Sequence, residues 1–142
     1  MVVDAPAPLS QLTRMPLPLV GAKVAAGFPS PAEDHVDRAL DLNEHLIAHP
    51  AATFFVRVAG DSMRDAGIVE GDILIVDRSL TPQDRQIVVA QLDGEFCVKR
   101  LRRQGGRVWL ESENPEYPRV ELTEGQQLEI WGTVTFIIHK AR

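Results

Sequence analysis

Residues 86–111 read QIVVAQLDGEFCVKRLRRQGGRVWLE. Three runs rich in β-branched and aromatic residues, Gln86–Leu92, Glu95–Leu101 and Arg107–Glu111, follow one another with Asp93-Gly94 and Gly105-Gly106 lying between them. Such pairs suit tight hairpin turns, which require positive φ. The spacing therefore predicts three antiparallel neighbours. Further runs of the same texture lie at Thr53–Val58, Ile73–Val76, Arg119–Leu122 and Leu128–Ile138, with turn residues between them. From residue 53 onward the expectation is a mostly-β, compact antiparallel domain.

The chain ahead of it is different. Pro6, Pro8, Pro16, Pro18 and Pro29, with Gly21 and Gly27, exclude helix interiors and central strands over residues 1–29, so an extended, mobile arm is expected. Ser30-Pro31-Ala32-Glu33 places a hydroxyl at an N-cap, proline at the first helical position and glutamate at the third. Asp41-Leu42-Asn43-Glu44 offers a second capping box, and Leu42, Leu46 and Ile47 give an apolar stripe before His49-Pro50. Two short helices should lead into the body.

At 142 residues and 44% hydrophobic composition the chain can bury one ordinary core. Its net charge of −5, from 15 Lys+Arg against 20 Asp+Glu, argues against a protein that holds DNA chiefly through phosphates. Cys97 is the single cysteine and has no internal partner for a disulfide, which fits a cytoplasmic protein. The N-terminal residues lack the basic start and unbroken apolar stretch of a secretory leader. No apolar run approaches the roughly 18–20 residues that span a bilayer, so no membrane association is expected.

Gly60-Asp61-Ser62-Met63 follows the strand Phe54–Val58, so Ser62 stands on a glycine-loosened turn where its hydroxyl can meet a cleft. Taken alone, Ser62 reads more simply as a cap for the turn Met63–Gly67. A serine nucleophile needs a base. His35, His45 and His49 lie in the lead-in and His139 lies beyond the last strand, and all four read as solvent-facing. The Gly-Asp-Ser string also suggests the Gly-Asp-Ser-Leu esterases, but these need an Asp-x-x-His near the C-terminus, and Glu129 and His139 are out of step with it. There is no G-x-S-x-G elbow, no Cys/His metal spacing and no Gly-rich phosphate loop.

Lysine remains, at Lys23, Lys99 and Lys140. Period-2 alternation over Glu95–Leu101 puts Lys99 between Cys97 and Leu101 on one face. Burial there would lower the ammonium pKa and free a neutral amine. The same run, Lys99-Arg100-Leu101-Arg102-Arg103, reads equally well as a solvated basic face.

With these residues in view, the sequence resembles the LexA/UmuD/phage-repressor family of self-cleaving Ser-Lys proteases over nearly its whole length, on the UmuD side. The likeness lies in Ala26–Ala32, Asp41–Asn43, Gly60–Met63, Gly67-Ile68, Gly71–Asp77 and Asp93–Leu101. It implies a β domain of the LexA C-terminal type, Ser62 as nucleophile, Lys99 as general base and Ala26-Gly27 as the scissile bond. The chain would then divide into a cleavable arm, 1–26, and a peptidase-like domain, 27–142. Backbone N–H groups of Ser62 and Met63 would hold the oxyanion.

No metal or cofactor is implied. The resemblance further implies a homodimer, cleavage promoted by a RecA filament on single-stranded DNA in the SOS response, and a shortened dimer that joins a UmuC-type polymerase in error-prone translesion synthesis. The 26 residues before the bond are too few and too rich in proline for the DNA-binding domain of LexA-type repressors, so sequence-specific DNA binding is not expected. A binding module that keeps the fold without turnover, and a truncated repressor using the basic run 99–107, are the competing readings.

Overall fold

The computed structural model describes residues 7–8, 13–20, 26–27, 36–121 and 127–141. Ten strands occur among them in chain order: β1 Ala7–Pro8, β2 Pro16–Val20, β3 Val36–Asp41, β4 Thr53–Arg57, β5 Ile73–Asp77, β6 Ile87–Leu92, β7 Glu95–Gln104, β8 Arg107–Glu111, β9 Val120–Glu121 and β10 Leu128–Ile138. One short helix, α1, spans Leu42–Leu46. No helix among the described residues is long and apolar enough to cross a membrane.

The chain forms two units, residues 11–48 and residues 1–10 with 49–142. The larger holds an eight-stranded antiparallel sheet in the order β1-β4-β5-β10-β6-β7-β8-β9. Both expected hairpins are present. Asp93 and Gly94 take φ of 50° and 85°, Gly105 and Gly106 take 57° and 82°, and each pair joins neighbouring strands. The strand reading of the sequence holds from residue 53 onward, with β7 running on to Gln104 and β9 only two residues long.

Two apolar clusters stabilise this unit. Val56, Val58, Met63, Ile68, Leu74, Val76, Val89 and Val98 form one; Val88, Ala90, Leu101 and Leu110 form the other. Because β7 contributes Val98 to the first and Leu101 to the second, it is covered on both faces, as alternation along a central strand requires. Burial of such a cluster stabilises by about 25 cal/mol per Å² of apolar surface removed from water.

The smaller unit pairs β2 with β3 and carries α1. The Asp41 carboxylate caps α1 by accepting from Asn43 N–H at 3.0 Å, as its capping signal predicts, and also accepts from Met15 N–H at 3.0 Å. The helix stops at Leu46, and only Ile47 of the expected stripe is buried; Leu42 is exposed. The first expected helix start, Ser30–Glu33, lies outside the described residues, and the chain just beyond it, Val36–Asp41, is strand. The described strands of the arm are extended edge strands, which the proline pattern allows. Ala7–Pro8 pairs with β4 at the sheet edge and Pro16–Val20 pairs with β3, positions where a residue without an N–H is tolerated.

Candidate active site

Ser62 sits between β4 and β5 in a turn held from several sides. Met63 and Ile68 are fully buried in the first cluster and anchor the segment from below. Locally, Arg64 N–H donates to Asp61 C=O, Ala66 N–H to Met63 C=O and Gly67 N–H to Arg64 C=O, closing a 3-10 turn over Arg64–Ala66. Met63, not Ser62, is the N-cap of that turn, and no side chain caps it. The capping account of Ser62 is thereby removed. Ser62 is also 1% exposed, so its hydroxyl faces the interior rather than an open cleft.

Lys99 lies on β7, opposite Val88 of β6. It is 7% exposed, so the solvated-face alternative does not hold for it. Its face is the expected one, with Cys97 and Leu101 packed in or against the second cluster. Burial lowers the Lys99 pKa from its ordinary 10.5, since the ammonium loses hydration that the neutral amine does not need. The Cys97 thiol acts in the opposite sense on the lysine. Burial pushes the Cys97 thiol up, so the thiol is protonated near neutrality and is a poor nucleophile.

The fold brings the two expected side chains together. Lys99 Nζ donates to Ser62 Oγ at 3.2 Å. A neutral amine at that distance can take the hydroxyl proton. Lys99 Nζ also donates to Ser112 Oγ at 2.7 Å and lies 5.7 Å from the centre of the Tyr117 ring. Among the described residues, neither Ser62 N–H nor Met63 N–H donates to a backbone carbonyl. Ala26 and Gly27 form an exposed bend.

The segment after β8 supplies what the sequence reading missed. Buried Asn114 donates to Asp61 C=O at 3.0 Å, Tyr117 O–H donates to Asp61 Oδ1 at 2.7 Å, and Asp65 N–H donates to Glu113 C=O at 2.7 Å. Residues 112–117 thus clasp the serine turn. The signal was the turn composition of Ser112-Glu113-Asn114-Pro115 directly after a strand paired with β7. His45, His49 and His139 are exposed, as expected, and His35 lies outside the described residues; two of the exposed rings also reach buried carboxylates, His49 Nδ1 lying 2.6 Å from Asp77 Oδ2 and His139 Nδ1 2.6 Å from Asp72 Oδ1.

The arginines of the basic run face carboxylates or carbonyls. Arg100 meets Glu113, Arg102 meets Asp84 and Glu111, Arg107 meets Glu121, and Arg103 donates to Pro82 C=O. The guanidiniums of Arg102, Arg107 and Arg119 also lie 5.2–5.4 Å from the centre of the Trp109 ring.

Known proteins are similar to this chain in sequence. The pattern of the family described as Peptidase S24-like matches residues 18–135. Protein SamA of Salmonella typhimurium is 45% identical over 136 residues, 96% of this chain and 94% of its own. Protein ImpA of Escherichia coli is 46% identical over 127 residues, 88% and 85% of the two chains. A LexA repressor from an Acidovorax strain is 42% identical over 131 residues, which are 92% of this chain but 58% of the repressor. With most of its length matched by both the family pattern and these relatives, the chain belongs to the Peptidase S24-like family of serine peptidases, as a UmuD-type member of the LexA/UmuD group.

Proposed function

We propose that the chain is a self-cleaving endopeptidase in which Ser62 attacks the Ala26 carbonyl and Lys99 serves as general base. The observation that carries this reading is the 3.2 Å contact between two buried groups, one of them a lysine whose burial favours the neutral amine. The Lys99 amine takes the Ser62 proton as Oγ bonds to the Ala26 carbon. The carbonyl oxygen then carries the negative charge, which the Ser62 and Met63 N–H groups stabilise. As the C–N bond breaks, Lys99 returns the proton to the Gly27 amine. Water, deprotonated by the same amine, releases the acyl group as the Ala26 carboxylate and restores Ser62. Residues 1–26 leave as an arm and 27–142 remain as the processed domain.

Ser62 is buried, so access of the peptide to its hydroxyl is the step on which a promoter would act. That fits promotion by a RecA filament during the SOS response. In the same reading the processed form is a cytoplasmic homodimer that serves a UmuC-type polymerase in translesion synthesis. The repressor alternative has less support, because the basic run is already matched by Glu111, Glu113, Glu121 and Asp84 and offers few free charges to phosphates.

Purified protein incubated between about pH 7 and pH 10 should lose residues 1–26, faster as the pH rises through the Lys99 titration. Ser62→Ala and Lys99→Ala should stay full length, whereas Cys97→Ser should still be cut. Mass spectrometry showing cleavage of either dyad variant at Ala26-Gly27 would refute the mechanism.

A further inference from the structure

Ser112 follows β8 at the point where the β7–β8 register, which pairs Arg100 with Glu111, next brings position 112 opposite Lys99. Two residues directly opposite on antiparallel strands project to the same face. Ser112 Oγ lies 2.7 Å from Lys99 Nζ, closer than Ser62 Oγ at 3.2 Å. Among the described residues these two hydroxyls are the hydrogen-bond partners of the amine. The other titratable groups about it are Cys97 on its own strand and Tyr117, whose hydroxyl is engaged by Asp61, while Glu113 is engaged by Arg100.

A neutral primary amine carries two N–H bonds and one lone pair in a tetrahedral arrangement. Rotation about its last C–N bond turns the lone pair through three staggered positions, and only one of them faces Ser62. We propose that Ser112 is a positioning residue for the Lys99 amine: its oxygen holds one N–H, which leaves the lone pair directed at the Ser62 proton. Tethering also removes side-chain freedom that a long, unbranched lysine would otherwise lose only on reaching the reactive geometry. The inference rests on the dyad proposed above.

The protonated amine gains more from the Ser112 oxygen than the neutral one does, because a hydrogen bond from a charged donor is the stronger. Removing that oxygen therefore lowers the pH at which Lys99 titrates, while a loss of packing alone would let water in and raise it. The test is the side-chain titration of a full-length Ser62→Ala chain, which cannot cut itself, followed by NMR of lysine carbons next to the amine. Only three lysines contribute signals.

Ser112→Ala in that chain should move the Lys99 midpoint to lower pH, with Lys23 and Lys140 unmoved, and Ser112→Thr should restore it. With Ser62 present, Ser112→Ala should cut about tenfold more slowly at a pH where the amine is neutral, and Ser112→Thr should recover most of the rate. A Lys99 midpoint that stays or rises in Ser112→Ala overturns the proposal, and so does an undiminished cleavage rate. The dyad reading fails on a different observation, cleavage of the Lys99→Ala chain.

Discussion

An ammonium held at 7% exposure with two hydroxyls for company costs the fold free energy, because neither hydroxyl replaces the hydration it gave up. In the unfolded chain Lys99 titrates near 10.5, and in the folded chain lower. Between those two values the unfolded state binds more protons, so stability climbs with pH across that window. Below the folded value the penalty is present in full, and above 10.5 it is gone. Replacing Lys99 with methionine in a Ser62→Ala chain should therefore raise stability at pH 7 by on the order of 1 kcal/mol. Urea unfolding at pH 7 and pH 10 checks this: the advantage should shrink at the higher pH, and a gain of equal size at both would show that the amine is not buried in its charged form. Local alternation put Lys99 between Cys97 and Leu101 but left burial and a solvated basic face equally open, and it is the cover of β7 by long-range partners that decides for burial. The turn composition around Ser112 and Asn114 was legible but their roles were not, because these depend on the return of the chain over the serine turn.

Among the elements, β10 carries the largest structural burden, lying between β5 and β6 with bulges at Ile130/Gly132 and Val134/Phe136. A Cβ built on Gly132 would come 2.5 Å from Val76 Cγ1, which belongs to a branched and fully buried side chain. Gly132→Ala should thus destabilise by roughly 1–3 kcal/mol, the usual cost of overpacking a core. Denaturant unfolding should show a lower midpoint with an unchanged slope, and a midpoint equal to that of the parent would mean the strands separate freely there. The extent of β10 could be read from its β-branched run, but its place in the middle of the sheet could not. Sequence order puts it last, and only long-range pairing puts it between β5 and β6. The lead-in erred for a related reason. Val36–Asp41 lies just beyond a helix-start signal, yet pairing with Pro16–Val20 makes it strand, a case of tertiary partners overriding local preference. The exposure of His49 and His139 was legible, but their aspartate partners, Asp77 and Asp72, were not, because they lie 28 and 67 residues away.

At the scale of the molecule, among the described residues the two apolar clusters and the partly buried side chains packed on them draw only on positions between Val56 and Val134. Ahead of residue 27, the larger unit takes from the described chain only β1, a two-residue edge strand paired with Phe54 and Phe55. An edge pair of that length adds little, since most of the stability of a sheet comes from packing across its buried face rather than from its outermost hydrogen bonds. Cleavage at Ala26-Gly27 should accordingly change what the surface presents without loosening the body that carries Ser62 and Lys99. The expected result is that a chain comprising residues 27–142 unfolds thermally within about 5 °C of the full-length Ser62→Ala chain, a difference worth roughly 1 kcal/mol. Amide exchange should agree, with β5, β6, β7 and β10 equally protected in both and the change confined to β4, which loses its outer partner. A fall of more than about 15 °C, or lost protection in β7, would show instead that the arm is part of the fold's support, and cleavage would then act by unfolding rather than by exposing a new surface.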